Sequence, residues 1–167
     1  MRFLVAALLL CCAVLPAGAS PSGVAQEVPA HAVVFMYHRF GEAEYPATSI
    51  TLPQFEAQLE YLESEGFRVW PLARILPRLR EGGAIPDRVV AITIDDAYRS
   101  VYEQAFPRLR AYGWPFTVFV STDAVDQGLP DFMTWEQMRE MQRAGADFAN
   151  HRASHDYLWR GAECEDR

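Results

Sequence analysis

The chain has 167 residues, half of them apolar, which fits a single domain with a real hydrophobic core and excludes a disordered polymer. Its 15 basic residues are all arginines and are outnumbered by 22 acidic ones, leaving a formal charge of -7. That balance excludes the broad basic face on which nucleic-acid binding rests, and suits an uncharged or cationic partner.

The N-terminus reads as an export signal over residues 1–19: Arg2 supplies the positive start, Phe3 to Val14 the apolar stretch, and Ala17-Gly18-Ala19 the small-x-small cleavage pattern. Pro16 interrupts the apolar run before it reaches the roughly 20 residues a membrane span needs. The mature chain is therefore expected outside the cytoplasm, periplasmic or extracellular, with no transmembrane span. Large leucines precede Cys11 and Cys12, where a lipidation site takes small residues. Removing the signal removes both cysteines and leaves Cys164 without an intrachain disulfide partner. Residues 20–31 are small, polar and proline-containing, as in a flexible leader, and residues 32–167 are expected to form one domain.

Within that domain Ala32 to Tyr37 has the composition of a buried strand. Thr51 with Gln54 makes a capping box for a helix carrying Phe55, Leu59 and Leu62 at helical spacing, and Gly66 ends it. Phe67 to Trp70 reads as a short strand and Leu72 to Arg80 as a helix broken by Gly82-Gly83. Val89 to Ile94 is the most apolar strand and delivers Asp95 and Asp96 at its end. Tyr98 to Tyr112 has a helical pattern that Pro107 must kink or restart. Phe116 to Val120 is the next strand, Thr134 with Gln137 caps a helix that closes at Gly145, and Asp147 to Ala149 leads into Asn150 and His151. Strands alternating with helices imply an α/β fold with a parallel sheet, whose functional groups gather beyond the C-terminal ends of the strands.

Asp95, Asp96 and His151 all fall at that edge. Two adjacent carboxylates leaving an apolar strand need compensation, because strands disfavour Asp and a buried charge needs a partner. A metal supplies it if His151 and His155, four residues apart, join one of the carboxylates; two imidazoles and a carboxylate with open positions are a catalytic zinc set, and the second carboxylate is left free to act as base. On the residues alone other readings stay open. The Asp pair also fits a turn that caps the next helix, and the two histidines also fit an exposed loop.

The run Ala91-Ile92-Thr93-Ile94-Asp95-Asp96-Ala97-Tyr98 resembles the Thr-Phe-Asp-Asp-Gly motif of NodB-type polysaccharide deacetylases, carbohydrate esterase family 4. Asn150-His151-Arg152-Ala153-Ser154-His155 is similar to that family's His-(Ser/Thr)-x-x-His segment. Pro115 to Val120 resembles its Ala-Thr-Phe-Phe-Val stretch, and Met36-Tyr37-His38 a run many members carry after their first strand. The resemblance, over Val33 to Leu158, implies a NodB-like distorted (β/α) barrel. It implies Asp95 as catalytic base, and Asp96, His151 and His155 as ligands of a divalent metal, zinc foremost. The reaction implied is hydrolysis of N-acetyl groups from an N-acetylglucosamine-containing polysaccharide. His38 and Tyr98 are candidate pocket or substrate contacts; His38 could also be drafted as the acid, although a polar residue closing a strand is its plainer reading.

Ile94 stands for the motif's Phe, Ala97 for its Gly, and Arg152 for the Ser or Thr whose hydroxyl helps order the metal loop. No match to the family's later motifs, including the Leu-x-x-His that carries its acid, follows His155. The resemblance therefore implies a barrel incomplete at its C-terminus, and slow deacetylation for want of an acid. Two alternatives remain beside the deacetylase: a truncated, inactive domain that binds metal or glycan, and a non-haem iron oxygenase with a two-His-one-carboxylate site. If the signal reading holds, N-terminal mass spectrometry of the secreted protein finds Ser20 as its first residue; a mature chain still beginning at Met1 refutes it.

Overall fold

The computed structural model describes residues 31–154; the proposed signal, nearly all of the leader, His155 and Cys164 lie outside them. In chain order the described elements begin with β1 (Val33–Tyr37), β2 (Arg39–Phe40), β3 (Ser49–Ile50), α1 (Leu52–Ser64), β4 (Arg68–Val69) and α2 (Leu72–Glu81). They continue with β5 (Val89–Asp95), a π-helical turn (Val101–Ala105), α3 (Phe106–Tyr112), β6 (Thr117–Val120), α4 (Thr122–Asp126), α5 (Trp135–Arg143) and β7 (Asp147–Asn150).

β5 is the axis of the sheet, buried from Val89 through Ile94 as its β-branched, uncharged sequence requires. β1 runs parallel beside it in a register that sets Val33 against Val90 and Tyr37 against Ile94. β6 runs parallel with Asp95 opposite Phe119, β7 follows with Val120 opposite Asn150, and β4 pairs the start of β5. Among the described residues every strand pairing of this sheet is parallel, as helical crossovers between strands dictate. β2 and β3 form a separate small parallel pair beside the end of β1.

Both capping boxes form. Thr51 and Gln54 open α1, which buries Phe55, Leu59 and Leu62; Thr134 and Gln137 open α5, which buries Met138 and Met141. These faces meet Tyr37, Phe40, Ile92, Ile94 and Val118 in the main core. Tyr37, Phe40 and Phe55 pack ring against ring there, with centroids 4.8–5.6 Å apart.

The structure corrects the reading of β1 as a buried strand: Val33, Val34 and Met36 are 54%, 46% and 64% exposed. Among the described residues β1 has only β5 beside it, so its apolar composition does not produce burial. The helix read over 98–112 starts instead as a π turn, with the Phe106 N–H donating to the Val101 carbonyl before α3 begins. Pro107 explains this. It has no N–H to offer Glu103, and its ring crowds that carbonyl, so the turn before it widens. The two-residue strands β2 and β3 and the five-residue α4 are too short to leave a periodic signal in the sequence.

Tyr37 is buried, and its hydroxyl donates to Gln58 Oε1 at 2.6 Å. Burial pushes the phenol from its ordinary 10.0 up to about 12. Its contribution to stability is therefore complete below the unfolded pKa and is lost as pH rises through the folded value. Urea midpoints should fall between about pH 9 and about pH 12, and Tyr37→Phe should flatten that fall relative to its own value at the lower pH. An unchanged slope in the variant would assign the alkaline loss to other groups.

Candidate active site

The end of β5 sets the geometry. Adjacent residues of a continuing strand face opposite sides of the sheet, but here the chain turns left-handed at once, with φ of 72° at Asp96 and 59° at Ala97. Aspartate tolerates that conformation better than most residues. The turn stays anchored to the sheet because the Asp96 N–H donates to the Phe119 carbonyl at 2.9 Å. Both carboxylates are thereby presented at the C-terminal edge, Asp95 toward β1 and Asp96 toward β7.

Asp96 is buried, 4% exposed, yet carries a carboxylate. Its Oδ1 lies 3.5 Å from His151 Nε2 and accepts from the Ser121 hydroxyl at 3.4 Å. The His151 separation is long for a hydrogen bond. It matches the spacing of two ligands on one tetrahedral ion, about 3.3–3.6 Å for bonds of about 2.0–2.2 Å. The pair thus fits a zinc-like metal. Among the described residues no third His, Cys, Asp or Glu completes the group; the remaining candidate ligand, His155, lies outside them.

The segment after His151 is held by the backbone of its neighbours. His151 N–H donates to Val120 O, extending the β6–β7 pairing, and Arg152 N–H donates to the Asn150 side chain at 2.7 Å. Carbonyls of Arg152 and Ala153 accept from the N–H groups of Thr122 and Asp123 at 3.2 and 2.9 Å. These are the first turn of α4, whose N-cap residue Ser121 makes no side-chain cap. Ser121 turns its hydroxyl to Asp96, and the loop's carbonyls satisfy the orphan donors in its place. The support that Arg152 cannot give as a hydroxyl thus comes from Asn150 and α4. Ser121 escaped the sequence reading, although it too sits just past a strand end, the criterion that singled out Asp95, Asp96 and His151.

His38 joins the site from β1. The register that pairs Tyr37 with Ile94 carries the next residues, His38 and Asp95, side by side, with His38 Nε2 3.9 Å from Asp95 Oδ2. Both side chains are mostly buried yet reach solvent, at 24% and 13% exposure. Tyr98 lies on the Asp96 side, where it lines a cavity of about 290 Å³ with Asp96, Ser121, Leu129, Phe132 and Ser154. Its ring packs on Phe132 at 4.9 Å. Burial first, and the Asp96 carboxylate second, hold the Tyr98 phenol above its ordinary pKa, with Arg39 acting in the opposite sense. It remains a neutral hydrogen-bond donor beside Asp96.

The parallel α/β fold and its sequence have clear counterparts among known proteins. Residues 82–166 match the family model for polysaccharide deacetylase, and the chain belongs to that family. It is 29% identical over 131 residues to the putative polysaccharide deacetylase YxkH of Bacillus subtilis (strain 168), covering 77% of this chain and 45% of that protein. It is 32% identical over 117 residues to the poly-beta-1,6-N-acetyl-D-glucosamine N-deacetylase of Escherichia coli (strain K12), covering 62% of this chain and 17% of that protein. The chain spans less than half the length of either. Among solved structures, the Streptococcus pyogenes deacetylase PplD in complex with acetate superposes with a TM-score of 0.70 and 26% identity, over 77% of this chain and 59% of that one. The α/β fold is that of the NodB-type (β/α) barrels, and β1, which the family model leaves out, belongs to the same sheet as β5.

Ala97, where the motif has Gly, is fully buried in a left-handed conformation. Ala97→Gly should change stability by less than about 1 kcal/mol, since losing a buried methyl, about 0.8 kcal/mol, offsets relief of the backbone, about 1 kcal/mol. Ala97→Val adds β-branching where φ is positive and volume where there is no room, and should cost about 2–4 kcal/mol in urea unfolding. Equal stability of the Val variant would contradict the left-handed turn.

Proposed function

We propose that the protein is a metal-dependent deacetylase that hydrolyses N-acetyl groups of an N-acetylglucosamine-containing polysaccharide outside the cytoplasm. The observation that carries this reading is the approach of Asp96 Oδ1 to His151 Nε2 at 3.5 Å, on the strand edge that also pairs His38 with Asp95. Family membership and the E. coli relative's named substrate support the choice of reaction and glycan. The parallel sheet argues against the non-haem iron oxygenase, which usually sits on a double-stranded β sandwich.

Asp96, His151 and His155 would hold the ion, zinc by its mixture of imidazole and carboxylate donors. When bound, it supplies a Lewis acid for the acetyl carbonyl and lowers the pKa of water. The chain's own residues do the rest. Asp95 Oδ2 takes a proton from the attacking water as the C–O bond forms. His38 gives a proton to the departing nitrogen as the C–N bond breaks, leaving acetate and a free amine. His38 takes this role because its imidazole stands 3.9 Å from Asp95, close enough to share one substrate and too far to be quenched by a direct hydrogen bond.

Metal binding and chemistry separate by mutation. Asp96→Ala and His151→Ala should abolish stoichiometric zinc binding, while Asp95→Asn and His38→Ala keep it. With a β-1,6-linked N-acetylglucosamine oligomer, Asp95→Asn and His38→Ala should each lower acetate release by about 10²–10⁴. If Asp95→Asn lost zinc while Asp96→Asn kept it, the two carboxylate roles would be reversed.

A further inference from the structure

Arg39 is a buried cation that takes no part in the proposed chemistry, at 7% exposure. It pairs with Glu42, and its guanidinium lies between two tyrosine rings, 3.9 Å from the centroid of Tyr45 and 3.5 Å from that of Tyr98. A planar guanidinium between two rings is a specific arrangement, because stacking and ion pairing both fix its plane. The segment carrying it is tied down on two further sides: the Phe40 N–H donates to Ser100 Oγ at 3.1 Å, and the Glu42 N–H donates to Ser49 Oγ at 2.9 Å. Arg39 therefore lies over the Tyr98 ring, and Phe132 packs against the same ring at 4.9 Å. Tyr98 and Asp96 line that cavity together, two residues apart across the left-handed turn.

We infer that Arg39 is a positioning residue for the metal centre: by clamping the Tyr98 ring it aims the Tyr98 hydroxyl at the Asp96 carboxylate and fixes which carboxylate oxygen faces His151. This rests on the reading that Asp96 is a ligand. Asp96 is a strained, left-handed residue whose side chain has its alternative rotamers open unless something holds it. Ser121 reaches Oδ1, the oxygen that faces His151, from one side, and Tyr98 lines the same cavity as that carboxylate, where its hydroxyl is the second donor the inference assigns. Hydrogen bonds to a ligating carboxylate orient it, and losing such a partner typically costs 10–100-fold in metal affinity.

Zinc titration of the full chain by calorimetry, with apoprotein melting as control, tests the inference. Tyr98→Phe keeps the ring and its stacking and removes only the hydroxyl. It should raise the zinc Kd about tenfold or more with the melting temperature unchanged within about 2 °C. Arg39→Lys keeps the charge but cannot stack as a plane, and should weaken zinc binding in the same direction. The double variant should be no weaker than the worse single one, since both act along one chain of contacts. Wild-type affinity in Tyr98→Phe overturns the inference, and additive losses overturn the route through Tyr98. Retained zinc binding in Asp96→Ala would instead overturn the metal-site reading beneath it.

Discussion

A carboxylate buried at the end of an apolar strand is the constraint on which the rest of this structure depends. Asp96 loses its hydration when β5 packs into the sheet, and a desolvated carboxylate costs several kcal/mol unless donors or a cation replace the water. The surroundings are arranged for that replacement. Ser121 forgoes the cap of α4 to reach Asp96, the carbonyls after His151 take over the cap, and His151 arrives on the same oxygen. Each of these residues stands at or just past the end of a different strand, so the parallel register of β5, β6 and β7 is what delivers them together.

Asp95 and Asp96 are neighbours in sequence with divergent surroundings. Asp95 continues the strand and meets His38 of the adjacent one; Asp96 begins the turn and meets His151 and Ser121. Presenting two consecutive carboxylates at one edge requires that the strand's alternation be broken between their side chains, and the left-handed pair Asp96-Ala97 does so. The strain of two non-glycine residues at positive φ is held by the sheet hydrogen bond from the Asp96 N–H and by the complete burial of Ala97.

The sheet has a functional side and a plainer one. The β1 edge contributes His38 and then leads straight into Arg39, whose stacked guanidinium ties the small β2–β3 pair to Tyr98. Five consecutive residues, Met36 to Phe40, thus pass from an exposed edge, through the histidine that faces Asp95, to the buried cation and the aromatic core. The arginine-only basic composition is consistent with this use, since lysine cannot provide a planar cation between rings.

Local chemistry made much of this legible in the sequence. The capping boxes at Thr51 and Thr134 announced α1 and α5, the apolar run from Val89 announced β5, and Pro107 announced a break in the helix, because each signal acts within a few residues. The Asp95-Asp96 pair and His151 were legible as strand-end residues of a parallel α/β fold. Register was not legible, because nothing in the composition of β1 says that Tyr37 faces Ile94, and on that single offset rests the pairing of His38 with Asp95. Ser121 and Arg39 were hidden for the same reason, and Tyr98 was legible only as a candidate pocket or substrate contact. Their roles come from contacts between segments distant in the chain, which sequence periodicity does not encode and only the packed tertiary structure decides.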